Sequence, residues 1–162
     1  MVRTLMVVTG FVIVLGVAAR QPSAQIPQAS QKPTAADFVG APACKECHVE
    51  IHTAWSKTKH ARAFERLGRS ELEGGTCIKC HVTGTPEMVL AEGAKPSQPG
   101  VQCEACHGAG RAHVEAARGG DASNARTTTV IEETCVRCHN TTSPHYKPFF
   151  FGPLKGLVHP KG

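Results

Sequence analysis

Gly100-Val101-Gln102-Cys103-Glu104-Ala105-Cys106-His107-Gly108-Ala109-Gly110-Arg111-Ala112-His113 is the stretch on which the rest of this chain turns. Cys103 and Cys106 followed at once by His107 make a Cys-x-x-Cys-His pattern, in which two thiols bind the vinyl groups of a haem and the histidine takes its iron. Two intervening residues put both sulfurs on one edge of a macrocycle, and the adjacent imidazole then falls over its face. Gly108 and Gly110 let the backbone turn close to a flat ring, since they carry no Cβ. His113 lies past that turn, free to serve elsewhere.

The pattern recurs at Cys44, Cys47 and His48, at Cys77, Cys80 and His81, and at Cys135, Cys138 and His139, so all eight cysteines are consumed. Two zinc ribbons would also need paired Cys-x-x-Cys knuckles, but zinc has no use for a histidine after every second cysteine. A disulfide framework fails for the same reason. Four covalent haems of the c type are therefore expected, with His48, His81, His107 and His139 as proximal iron ligands. The spacings of 33, 26 and 32 residues between first cysteines are too uneven for a solenoid.

The 162 residues suffice for one modest domain. Residues 1–24 read as an export signal: Arg3 supplies the positive start, Leu5 to Ala18 is nearly all apolar, and small residues follow for cleavage. At about fifteen residues the run is short for a bilayer span. An uncleaved anchor is the alternative. Residues 25–37, rich in Gln, Ser, Pro and Ala, read as a flexible leader, and residues 38–162 as the tetrahaem domain. Export to the periplasm or beyond fits the chemistry, since haem is joined to c-type cytochromes outside the cytoplasmic membrane.

The net charge of +5 would suit nucleic acid, but losing Arg3 and Arg20 with the signal and gaining haem propionates removes the excess. Nucleic acid and a membrane span after processing are both excluded from the expected partners. Only 5% of residues are aromatic, with one Trp and one Tyr, so porphyrin is expected to supply much of the apolar interior. The fold class expected is mainly α and loop-rich, packed around the haems. Val49 to about Leu67 has the best helical period, with a break near Ser56 to His60; Arg111 to Arg118 and Val130 to Cys138 read as shorter helices. Val82 to Pro99 reads as a surface loop with a short strand at Met88 to Leu90, and the tail from Ser143 as mostly irregular.

Five histidines remain for the sixth iron positions: His52, His60, His113, His145 and His159. Four residues after His48, His52 projects along the same side of that ring and cannot reach its opposite face. His145 is six residues past His139, a reach of about 20 Å, so another haem suits it better. His60, His113 and His159 are free to cross to neighbouring haems. Met88 is the one methionine of the expected mature chain, so mainly bis-imidazole, low-potential haems are expected.

Phe38-Val39-Gly40 before Cys44, Trp55 to Ala61, and Gly100 to Gly110 with His113 resemble the tetrahaem cytochrome c-554 family, over about Phe38 to His159. Ala109 stands where that family usually has proline. The resemblance implies a mainly helical fold around closely packed haems and a role in electron transfer. It further implies that His60, His113 and His159 are distal ligands, to the third, first and fourth haems respectively. The family's second haem is similar to an open, five-coordinate site, for which this chain offers His145, His52 and Met88.

Electron transfer needs saturated coordination, whereas catalysis needs a vacancy. The expected role is an extracytoplasmic electron carrier exchanging with redox protein donors and acceptors. One alternative is a haem enzyme reducing a small nitrogen or oxygen species at a five-coordinate second haem. The other is a subunit of a larger redox complex or filament, including one made of copies of this chain.

Overall fold

The computed structural model describes residues 32–92, 96–121, 123 and 125–159. The export signal expected over residues 1–24, leader residues 25–31 and the last three residues lie outside them. In chain order the helices are α1 (Ala41–Lys45), α2 (Val49–Ser56), α3 (Arg69–Gly74), α4 (Ile78–His81), α5 (Pro86–Glu92), α6 (Cys103–His107), α7 (Arg111–Arg118), α8 (Glu132–Val136) and α9 (Phe151–Lys155). Short 3₁₀ turns form at Ala35–Asp37 and Phe64–Arg66. Among the described residues the β-structure is one isolated antiparallel bridge, Val82 to Pro99, and no helix is long and apolar enough to cross a membrane.

Helices this short are marginal alone, so packing and hydrogen bonds from distant segments must hold them. The buried apolar side chains are Ala41, Ala63, Ile78, Val82, Met88 and Val89, a small core on which Phe64 packs. Val49, Ile131, Phe150 and Leu157 stay half or more exposed. That is little burial for a chain of this length, and a flat apolar group is the natural complement.

Polar contacts do the rest, and they converge on the stretch from Gln98 to Gly110. Thr83 N–H donates to Gln98 O at 3.0 Å, and its hydroxyl donates to Gly100 O (2.9 Å) while accepting from Gln102 N–H (2.8 Å). Gly100 N–H donates to His81 O at 3.0 Å and Val101 N–H to His60 O at 2.9 Å. Trp55 closes the arrangement, its indole N–H donating to Val101 O at 2.9 Å. Gly100 sits at φ +86°, and a Cβ there would lie 2.5 Å from Ala61 O, so only glycine brings these backbones together.

Several elements differ from the sequence expectation. The break expected near Ser56 to His60 is present, with α2 ending at Ser56 and the chain turning repeatedly so that His60 O can meet Val101, but the second piece is reduced to the 3₁₀ turn at Phe64–Arg66. Met88 to Leu90 is helical, inside α5, because Pro86 opens a helix and Met88 and Val89 then share a buried face. The fourth motif's helix is confined to Glu132–Val136, and the tail contains α9. Residues 32–37, expected as leader, belong to the folded unit: Lys32 pairs with Glu87 at 2.5 Å, and Arg111 Nε–H donates to Ala36 O.

Candidate haem-binding site

Each attachment motif is a single helical turn. His48 N–H donates to Cys44 O at 2.9 Å and His139 N–H to Cys135 O at 3.0 Å, so the turn places the imidazole beside both thiols. In the third motif, Gly108 at φ +78° ends α6, and Thr128 N–H donates to His107 O at 2.9 Å. A Cβ on Gly108 would approach the Thr128 hydroxyl to 2.8 Å.

The eight thiols are free of disulfides, and the closest approaches join different motifs. Cys44 Sγ–H donates to Gly40 O at 3.6 Å; its interaction with the neighbouring Cys103 thiol, followed by burial, raises Cys44, and the same interaction lowers Cys103 to about 7. Cys138 and Cys80 form a second such pair, with Cys138 raised and Cys80 lowered to about 7. Burial, with Cys135 nearby, raises Cys106. Thiols of the first and third, the third and fourth, and the fourth and second motifs are thus neighbours.

Three of the four motif histidines face an imidazole from elsewhere in the chain. His48 and His113 have ring centroids 6.1 Å apart and planes inclined by 21°. His107 faces His159 at 6.1 Å and 30°, and His60 faces His139 at 5.9 Å and 70°. Two imidazoles on opposite sides of one metal, each with a metal–nitrogen bond of about 2.0 Å, place their centroids about 6 Å apart. The pairs therefore have the separation of axial ligands. Side-by-side packing of rings would not require it three times.

Second contacts set the tautomers. His113 Nδ1–H donates to Ala125 O at 2.9 Å and His81 Nδ1–H to Ala63 O at 2.7 Å, leaving Nε2 of each as the free donor atom. His60 and His107 are lowered below the ordinary imidazole value, first by burial and then by the facing rings His139 and His159. Neutral rings are the form that binds metal.

The resemblance implied His60 for the third haem and His159 for the fourth, and the ring geometry sets each beside the other motif. His60 faces His139 of the fourth motif, and His159 faces His107 of the third. The reason lies in the chain path, since Val101 pins the His60 turn while α9 carries the tail back toward α6. His52 packs on Trp55 at 5.3 Å, and His145 is exposed. Met88 is buried, packed where a Cβ on Gly84 would touch its methyl at 2.9 Å. Among the described residues none of these three forms a facing pair with His81.

Sequence reasoning missed Glu104. Its carboxylate is 4% exposed and accepts amide hydrogens from Val39 (2.9 Å), Gly40 (2.8 Å) and Gly110 (2.7 Å). Beside it Gln102 Oε1 accepts from Ala41 N–H at 2.7 Å. Together they clamp the approach to the first motif onto the third. The signal was an acidic residue between two cysteines on a helix too short to have a solvent face.

Residues 43–108 match the family of cytochrome c554 and c-prime. A curated relative, cytochrome c-554 of Nitrosomonas europaea, is 32% identical over 94 residues, covering 47% of this chain. The match spans 40% of that relative's length. The solved structure of reduced cytochrome c554 from Nitrosomonas europaea aligns at a TM-score of 0.48 with 26% identity, covering 74% of this chain and 77% of that one.

Proposed function

We propose that this chain, whose residues 43–108 match the family of cytochrome c554 and c-prime, is an exported electron-transfer protein holding four covalent c-type haems. The observation that carries the reading is the set of facing imidazoles at 5.9 to 6.1 Å, each joining a motif histidine to one from a distant segment. On this reading Cys44 and Cys47, Cys77 and Cys80, Cys103 and Cys106, and Cys135 and Cys138 carry the thioether bonds. His48 with His113, His107 with His159 and His139 with His60 would each hold one iron, and His81 would hold that of the remaining site.

Haem iron supplies reversible one-electron chemistry when bound. The polypeptide's part is geometric and electrostatic. Paired imidazoles keep coordination the same in both oxidation states, so little has to rearrange when an electron arrives or leaves. Hydrogen bonds to Ala63 O and Ala125 O hold the rings in place. The motifs adjoin through their thiols and through the hydrogen bonds between His81 or Thr83 and the stretch from Gly100 to Gln102, so the attachment sites lie close together. Redox proteins are the expected partners. Residues 1–24 direct export, and haem attachment follows outside the cytoplasmic membrane.

A second reading, small-molecule reduction at the His81 site, is favoured by one observation: His81 has no imidazole facing it among the described residues. Electron paramagnetic resonance of the oxidised protein separates the two, because a carrier shows only low-spin signals and an open site adds a high-spin one. The leading reading is tested by intact mass and the reduced haemochrome spectrum of exported protein. The expected mass is that of the processed chain plus four haems; a colourless product of bare peptide mass would overturn it.

A further inference from the structure

The three facing pairs are not alike. His48 with His113 and His107 with His159 are within 30° of parallel, whereas His60 and His139 cross at 70°. A third ring accompanies the crossed pair: Phe149 stacks on His139 with centroids 4.9 Å apart and planes 23° from parallel. Phe149 is half-buried and lies in the extended segment between the turn at Tyr146 and α9. Stacking of flat faces restricts rotation of the imidazole about its bond to iron, which its backbone alone leaves free.

Ring orientation matters because an imidazole donates into the iron dπ orbital perpendicular to its own plane. Two parallel rings load one orbital and split the pair widely, which stabilises the ferric hole. Crossed rings load both orbitals equally, leave them nearly degenerate, and withdraw that stabilisation. The site with crossed rings therefore has the higher potential of otherwise similar bis-imidazole sites, and its ferric form has a strongly anisotropic magnetic signature.

We infer that Phe149 is a positioning residue for the fourth attachment site, holding His139 across His60 and thereby raising that site's potential above those at His48 and His107. This rests on the bis-imidazole reading above.

The test uses mature holoprotein and electron paramagnetic resonance of its oxidised form. Besides the signal of the His81 site, the expected wild-type spectrum has one large-anisotropy low-spin signal and two rhombic ones, one from each facing pair. Phe149→Leu, which keeps apolar bulk but no flat face, is expected to convert the anisotropic signal to a rhombic one and lower one potential in a spectroelectrochemical titration. Phe149→Tyr keeps the face and is expected to preserve both. Three rhombic signals in the wild type, or a Phe149→Leu spectrum and titration identical to wild type, would overturn the inference. Should Phe149→Leu fail to mature, Phe149→Val, which likewise lacks a flat face, carries the same test. Absence of covalent haem or of any bis-imidazole signal would instead defeat the proposed function.

Discussion

Glu104 holds the backbone amide of Gly40 at 2.8 Å across 64 residues of sequence, inside the protein, while accepting two further amide hydrogens from Val39 and Gly110. Removing the carboxylate leaves three backbone donors without an acceptor, and charge-assisted hydrogen bonds of this kind are worth about 1.5–3 kcal/mol each. Glu104→Ala is expected to lower holoprotein stability by at least about 3 kcal/mol in denaturant titration. An unchanged midpoint would show that the clamp contributes nothing.

Gly100 is the second rigid point. Alanine there must adopt φ +86° and place Cβ 2.5 Å from Ala61 O, a strain of at least about 2 kcal/mol. Gly152, in α9 with open space around it, provides the comparison. Thermal melts of the two holoprotein variants are expected to show a large drop for Gly100→Ala and a change within about 0.5 kcal/mol for Gly152→Ala.

The facing rings predict which histidines matter to the irons. His60→Ala, His113→Ala and His159→Ala are each expected to turn one low-spin haem high-spin, read from the visible spectrum. His145→Ala, at an exposed position, is expected to leave every signal in place. A spin change in His145→Ala with none in His60→Ala would reverse the assignment.

Acid should loosen the fold in a defined direction. His60 and His107 are lowered from 6.5 by burial, so the unfolded chain binds protons that the folded chain refuses. Their contribution is intact above that value and is lost progressively as pH falls below it. The holoprotein is expected to melt at a lower temperature at about pH 5 than at about pH 7.5, and His60→Met, which ligates without titrating in this range, is expected to lose less. Calorimetry at the two pH values measures both.

The four Cys-x-x-Cys-His turns were legible in the sequence because they are contiguous, as the proposed chemistry requires of two thiols and an imidazole that must reach one macrocycle from a single helical turn. The helix at Arg111–Arg118 was equally legible, bounded by glycines on both sides. Met88 to Leu90 was not, since three apolar residues have the same pattern in a buried helix as in a strand, and only packing against Ile78 and Val82 distinguishes them.

Sequence alone therefore determined which residues form the four Cys-x-x-Cys-His turns, because each set is local. Only the tertiary structure decided which distant histidine meets which motif, that His60 goes to His139 and His159 to His107. Those pairings depend on where loops are pinned, at Gly100 against Ala61 and at Val101 against His60. Such contacts leave no periodic trace along the chain, because a hydrogen bond between segments forty residues apart constrains their positions in space and not their spacing in sequence.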